Sequence, residues 1–305
     1  MEKGKYHLGL DVGGTNLVAA LVDSEFNIIS RASMPAGAGR GIEEITDDMA
    51  AVSRKAVENA GVDMSDVLSW GIGMPSCVNS TTNLLVHANC FGWKNVPIYD
   101  YLRDKLPLPV KIENDANCAA YGEALAGAAK GHRNVLMLTL GTGVGGGIIL
   151  DGHIYAGADN MGAELGHTKL VYEGESCTCG QKGCLEAYAS ATALIRFYCR
   201  ETGMSVEDVN AEMIFRKAAE GDEAAGKIVE NYIGYLAAGL SSFITIFRPE
   251  VIILGGGVAN AGDQLLVPLR RKLEACTFGA AEIGLPPVIR AGLGNDAGLI
   301  GAAFL

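Results

Sequence analysis

Short apolar runs alternate with amphipathic stretches along most of the chain, which is the pattern of an α/β fold. Tyr6–Val12 predicts a strand, followed by the glycine turn GGTN, a second strand over Leu17–Asp23 and a third over Asn27–Ala32. A helix is predicted over Ile42–Ala60, strands over Leu68–Gly73 and Val110–Glu113, and a helix over Ala116–Ala129. The opening pattern then recurs. Val135–Leu140 is a strand, GTGVGGG a glycine loop, GIIL a returning strand, and Asp151-Gly152 a hairpin turn into a strand at His153–Tyr155. This weak repeat, Tyr6–Ala32 against Val135–Tyr155, predicts two related halves facing a cleft. Beyond Glu186 the chain reads as mostly helical, with one further strand at Val251–Leu254 running into GGGVANAG. The final NDAGLIGAAFL reads as a small-residue helix capped by Asn295 or Asp296.

Composition narrows the function. With 305 residues, 49% of them hydrophobic, the chain can bury one large or two ordinary cores. A net charge of −11 argues against nucleic acid or an anionic membrane as partner, because both demand basic patches. No apolar run reaches the length of a membrane span, and the N-terminus lacks the apolar core of a signal peptide. The expected location is therefore the reducing cytoplasm, where eight cysteines are more often free or metal-bound than paired.

The 41 glycines cluster directly after apolar runs, as they do where backbone approaches a ligand. Gly141–Gly146 satisfies G-x-G-x-x-G literally, but a dinucleotide site needs a helix after the loop, and here a strand follows. A glycine loop between strands can instead cradle phosphate with its backbone N–H groups. DVGGTN adds a carboxylate, Asp11, suited to holding Mg²⁺ through its waters, and a hydroxyl, Thr15. Within CTCGQKGC, Cys177, Cys179 and Cys184 follow His167 by ten residues, and a Cys₃His set suits zinc. Four protein ligands leave no open coordination position, so the expected zinc is structural. The remaining cysteines show no ligand spacing.

Taken together, DVGGTN, LGTGVGGG, ILGGGV and DAGLIGAA resemble the two phosphate motifs, adenosine motif and closing helix of the sugar-kinase and actin superfamily of ATPases. Within it, ENDAN, ELGH and CTCGQKGCLE resemble the ROK family (repressors, open reading frames and kinases). The resemblance implies two RNase H-like, actin-like ATPase domains closing around a central cleft on ATP and a sugar. It places a smaller domain at residues 1–115 plus 294–305 and a larger one, with a zinc-binding insert, at 116–293. ATP and Mg²⁺ would be held by Asp11, Gly13, Gly14, Thr15, Asn16, Gly141, Thr142, Gly143, Gly145, Gly146, Gly255, Gly256 and Gly257.

On local sequence alone Asp115 reads as a helix N-cap. The resemblance makes it instead the general base that takes the proton of the sugar hydroxyl. Asn89, Asn114, Asp115, Glu164, His167 and Glu186 are then the sugar-binding residues, and His167 with the three cysteines holds zinc. A metal-bound imidazole has its second nitrogen fixed as a donor, here toward a sugar hydroxyl. A homodimer is also implied.

Two stretches depart from the family pattern: Ser76 stands where a glycine often follows the proline, and His87-Ala88 precede Asn89 where the family has proline. Both bear on which hexose is taken. The expected activity is a hexose 6-kinase, glucose first, with N-acetylmannosamine or another N-acetylhexosamine, fructose and allose as alternatives. The family also contains sugar-sensing regulators with a DNA-binding domain ahead of this fold. The first phosphate motif begins at Asp11, which argues against that reading.

Overall fold

The computed structural model describes residues 5–37 and 39–305. Contacts divide the chain into two compact units: Met1–Gly131 with Gly147–Ala163 and Gly292–Leu305, and His132–Gly146 with Glu164–Ala291.

The first unit opens with an antiparallel meander of β1 (Tyr6–Val12), β2 (Asn16–Asp23) and β3 (Ile28–Pro35). The chain continues through α1 (Ile42–Ala60), β4 (Val67–Met74), a ribbon of β5 (Val78–Asn79), β6 (Leu84–Ala88) and β7 (Trp93–Val96), then α2 (Ile98–Leu102), β8 (Val110–Asn114) and α3 (Asp115–Leu125). The main sheet has the order β3-β2-β1-β4-β8, with β4 parallel to both β1 and β8. Helix α1 buries Ile45, Met49, Val52 and Ala56 at three- and four-residue intervals, as an amphipathic helix against a sheet must. They join one core with Leu8, Leu10, Trp70 and Ile72.

In the second part of the chain, β9 (Val135–Leu140), β10 (Val144–Leu150) and β11 (His153–Ile154) are followed by α4 (Glu186–Ala189), α5 (Ala191–Thr202), α6 (Ala211–Ala219) and α7 (Glu223–Phe247). Then come β12 (Val251–Gly255), α8 (Asp263–Cys276), α9 (Ala280–Ile283) and β13 (Val288–Arg290). The sheet order is β11-β10-β9-β12-β13, with β12 parallel to β9 and β13. This repeats the order of the first sheet position for position, so the repeat legible in the sequence is a repeat of topology.

The chain ends with α10 (Asp296–Ala303), which belongs to the first unit. It lies almost in contact with the backbone of β1 and β4. A Cβ on Gly9 would stand 2.0 Å from the Leu299 carbonyl oxygen, and one on Gly71 only 1.7 Å from that of Ala302. These positions are glycine because the helix occupies the space a side chain would need.

Four details differ from the sequence expectations. Helix α3 stops at Leu125 rather than Ala129, because the Glu123 carboxylate accepts the Ala128 N–H (2.7 Å) and turns the chain. The same carboxylate, 0% exposed, accepts the N–H groups of Gly292 (3.0 Å) and Leu293 (2.8 Å). Helix α3 also stays with the first unit, packed against α10, so the compact units do not divide at residue 115. The ribbon β5–β7 had no strand signal, since its strands are two to five residues long. Neither Asn295 nor Asp296 caps α10: Asn295 makes no side-chain cap bond, and Asp296 pairs with Arg31 at 2.7 Å.

Candidate active site and metal centre

In the first unit, site residues expected from the sequence sit at the C-terminal ends of the parallel strands β1 and β8, with β4 between them. Asp11 of β1 pairs with Gly73 of β4, and Gly73 with Glu113 of β8. Strand spacing therefore sets Asp11 and Glu113 about 9.6 Å apart on one row. The β1–β2 turn is closed by the Gly13 N–H donating to the Asn16 carbonyl (2.9 Å), and Gly14, Thr15 and Asn16 are exposed. Burial raises Asp11 above the usual carboxylate range, so its charged form is the more readily stabilised by a cation.

Asn114 and Asp115 divide the work at the start of α3. The Asn114 side-chain oxygen accepts the N–H of Ala116 (2.9 Å) and Asn117 (3.2 Å), so Asn114 is the N-cap and its amide NH₂ remains for a ligand. Asp115 is the first helical residue, and its Oδ1 accepts the Ala116 N–H at 2.8 Å. Beneath them lies Cys118, whose thiol is pushed well above its ordinary value by burial and then by the charges of Glu113, Asp115 and Asp11. Three carboxylates thus converge on one small region. Asn89 opens the 3₁₀ turn Asn89–Phe91, and its side chain lies outside the described structure.

Ser76 and His87, the two departures from the family pattern, meet each other. The buried Ser76 hydroxyl donates to the His87 carbonyl at 2.7 Å, joining the end of β4 to the ribbon. The Ser76 hydroxyl proton is therefore spent within the protein.

In the second unit, Gly141–Gly146 connects β9 to β10, with Gly145 and Gly146 inside β10. The loop is held at the N-terminus of α5: the Ala191 N–H donates to the Gly141 carbonyl (2.8 Å) and the Thr192 hydroxyl to the Thr142 carbonyl (2.7 Å). Gly255, ending β12, pairs with Thr139 of β9, so Gly255–Gly257 and Gly141–Gly146 leave adjacent parallel strands at the same end. In open α/β sheets that end is where ligands bind.

His167, Cys177, Cys179 and Cys184 bring one ligand atom each to within 4.8 Å of all the others. His167 Nδ1 stands 3.6 Å from the Cys177 sulfur, and the Cys179 and Cys184 sulfurs are 3.7 Å apart. Thiolates about 2.3 Å from one tetrahedral zinc ion stand about 3.8 Å apart, so the four groups fit that ion. With Nδ1 facing the thiols, His167 leaves Nε2 to donate elsewhere. Burial first, then the Cys179 side chain and Glu186, pushes the Cys177 thiol up to about 12. Cys179 lies below its ordinary value even against burial, because the Gln181 N–H donates to it and the Cys177 and Cys184 side chains lie against it.

Glu164 precedes the 3₁₀ turn Leu165–His167 and accepts the His167 N–H through its backbone carbonyl (3.0 Å). Glu186 is more constrained than sequence reasoning foresaw. Its Oε1 accepts from the Thr178 hydroxyl (2.6 Å) and the Cys177 thiol (3.2 Å), and its Oε2 accepts the Val144 N–H (3.2 Å). A Cβ on Gly143 would stand 2.4 Å from that Oε2. Glu186 therefore joins the cysteine turn to the glycine loop. Thr178 was missed, although its place between two ligands was a usable signal.

The family model described as the ROK family matches residues 7–305. The chain belongs to the ROK family. Among ROK relatives, it is 35% identical to a glucokinase of Halalkalibacterium halodurans, over 99% of this chain and 94% of that protein. It is 36% identical to a glucokinase of Streptomyces coelicolor, over 98% and 96%. A solved ROK family glucokinase from Streptomyces griseus, in complex with glucose and AMPPNP, superposes with a TM-score of 0.81 at 34% identity, covering 98% of each chain. ROK sugar kinases have two actin-like ATPase domains, which accounts for the repeated sheet topology.

Proposed function

We propose that this protein transfers the γ-phosphoryl group of ATP to the 6-hydroxyl of a hexose, with glucose as the preferred substrate. The observation that carries the reading is full-length similarity to glucokinases joined to an acid, Asp115, at the open end of a parallel sheet. N-acetylmannosamine or another N-acetylhexosamine, fructose and allose are the alternative substrates, and a sugar-sensing regulator is the alternative class.

Phosphoryl transfer rests mainly on positioning and on neutralising charge on the transferred group. Asp115 accepts the proton of the attacking hydroxyl, and Asn114 offers its free NH₂ to a sugar oxygen. The backbone N–H groups of Gly13–Asn16 and of Gly141–Gly146 with Gly255–Gly257 receive the phosphates. Asp11 holds Mg²⁺, which when bound neutralises phosphate charge. Asn89, Glu164, His167 and Glu186 bind sugar hydroxyls. Structural zinc on His167, Cys177, Cys179 and Cys184 keeps the imidazole in one orientation. Two related actin-like domains form the working architecture, in a cytoplasmic homodimer whose association light scattering would measure. Among the described residues no helix is long and apolar enough to cross a membrane.

The test is ADP release from Mg-ATP with glucose, N-acetylmannosamine, N-acetylglucosamine, fructose, allose and mannose. The highest kcat/KM is expected with glucose, and Asp115→Asn should lower kcat about 10²–10⁴-fold while sugar still binds by calorimetry. Preference for an N-acetyl sugar would replace glucose, whereas no turnover with any sugar would favour the regulator.

A further inference from the structure

Glu113 has no part in the chemistry described above, yet its buried carboxylate accepts three hydrogen bonds from three different residues. It is 8% exposed, and among the described residues no cation pairs with it. Oε1 accepts the N–H of Asn114 (2.9 Å) and the side-chain NH₂ of Asn117 (3.0 Å), and Oε2 accepts the side-chain NH₂ of Asn160 (3.2 Å). The first two partners belong to the turn that presents Asn114 and Asp115. The third belongs to the loop after β11, which runs into Glu164 and His167.

That loop needs holding. Asn160 and Ala163 both take positive φ values, +65° each, a region costly for a residue with a side chain. Asn79 donates to the Asp159 carboxylate (3.1 Å) and the Ser80 N–H to the Asp159 carbonyl (2.9 Å), fixing one side of the loop to the ribbon. Asn160 on Glu113 fixes the other. The arrangement also carries a cost at Asn117. Its NH₂ is spent on Glu113, and its Oδ1 is buried with no donor among the described residues. A buried polar group left half-satisfied is retained where geometry matters more than stability.

We propose that Glu113 is a positioning residue that sets the turn bearing Asp115 and the loop leading to Glu164 in one register, through Asn117 and Asn160. This rests on the reading of Asp115 as the proton acceptor and of Glu164 and His167 as sugar-binding groups. Glu113 touches neither substrate. One carboxylate serves because a single group must accept on both oxygens at once, which a neutral side chain cannot do.

The test reverses one hydrogen bond without disturbing the backbone. Asn160→Asp keeps a residue that tolerates positive φ but replaces the donor by a carboxylate facing Glu113. Adding Glu113→Gln restores a donor–acceptor pair in the opposite sense. Asn160→Asp is expected to raise the sugar KM about tenfold and leave the ATP KM within about twofold, the size of one lost charge-assisted bond. The double variant should return the sugar KM to within about threefold of wild type. If Asn160→Asp fails to fold by circular dichroism, Asn160→Gly removes the donor at the same φ and should give the same split.

A normal sugar KM in the folded Asn160 variant, or a double variant no better than the single, overturns the proposal. Asp115→Asn assayed alongside separates the two readings. Retained turnover there removes the proton-acceptor assignment itself, whereas loss of turnover there with a neutral Asn160 variant removes only the role of Glu113.

Discussion

Glu123 offers the sharpest test of the packing described here. Its buried carboxylate is an acceptor for three backbone N–H groups: Oε2 takes Ala128 and Gly292, and Oε1 takes Leu293. In Glu123→Gln the amide has the same shape but only one oxygen. If that oxygen keeps Ala128 and Gly292, the new NH₂ faces the Leu293 N–H, donor against donor. One bond is lost and one buried N–H is left unpaired, which costs about 1–3 kcal/mol. For a unit of this size that corresponds to a fall in Tm of roughly 2–10 °C. Scanning calorimetry of the purified variant reads it, and hydrogen exchange should show the Leu293 amide losing protection before those of β1. A Tm within about 1 °C of wild type, with Leu293 still protected, would show that this carboxylate does not hold the loop.

Three further outcomes are expected. Cys179→Ser should lower bound zinc, measured by elemental analysis on protein purified without chelator, and expose residues 169–185 to limited proteolysis before the rest of the chain; full zinc content would contradict the ligand assignment. Gly143→Ala should push Glu186 off the Val144 N–H and reduce kcat/KM for Mg-ATP about tenfold or more, read by steady-state kinetics, and an unchanged value would show that the carboxylate can yield without cost. Glu175 is held below its ordinary value of 4.5 chiefly by the Arg200 guanidinium beside it. Its contribution is present above the unfolded value and lost as pH falls through the folded one, so Glu175→Gln should cost up to about 1 kcal/mol at pH 7 and nothing near pH 2 in urea melts.

What was legible in the sequence was local or periodic. The two glycine hairpins follow apolar runs that can only be strands, and the second sheet repeats the first because its run-and-turn pattern does. The Cys₃His cluster was legible because ligand type and spacing travel together in one short segment after His167. What stayed hidden depends on partners distant in sequence. Glu123 looks like any helical glutamate until residues 292–293 arrive beside it. Asn160 sits in a loop without periodicity, and only the fold shows it donating to Glu113 from 47 positions away. The ribbon β5–β7 escaped because strands of two to five residues carry too little alternation to be read. Glu186 was expected to bind sugar, and nothing in its local pattern reveals that both its oxygens already accept hydrogen bonds.

The close fit of α10 against Gly9 and Gly71 has a consequence for how the protein is made. The meander of β1, β2 and β3 is translated within the first 35 residues, yet the surface cleared by those glycines is covered only by residues 296–303. The second sheet waits as well, since β9 finds its parallel neighbour β12 some 116 positions later, Val135 against Val251. A nascent chain therefore carries two unfinished sheets through the synthesis of most of these residues, the first uncovered until residues 296–303 and the second unpaired at β9 until residues 251–255. Translation products that stop before residue 296 would expose apolar strands and be natural clients for chaperones and proteases.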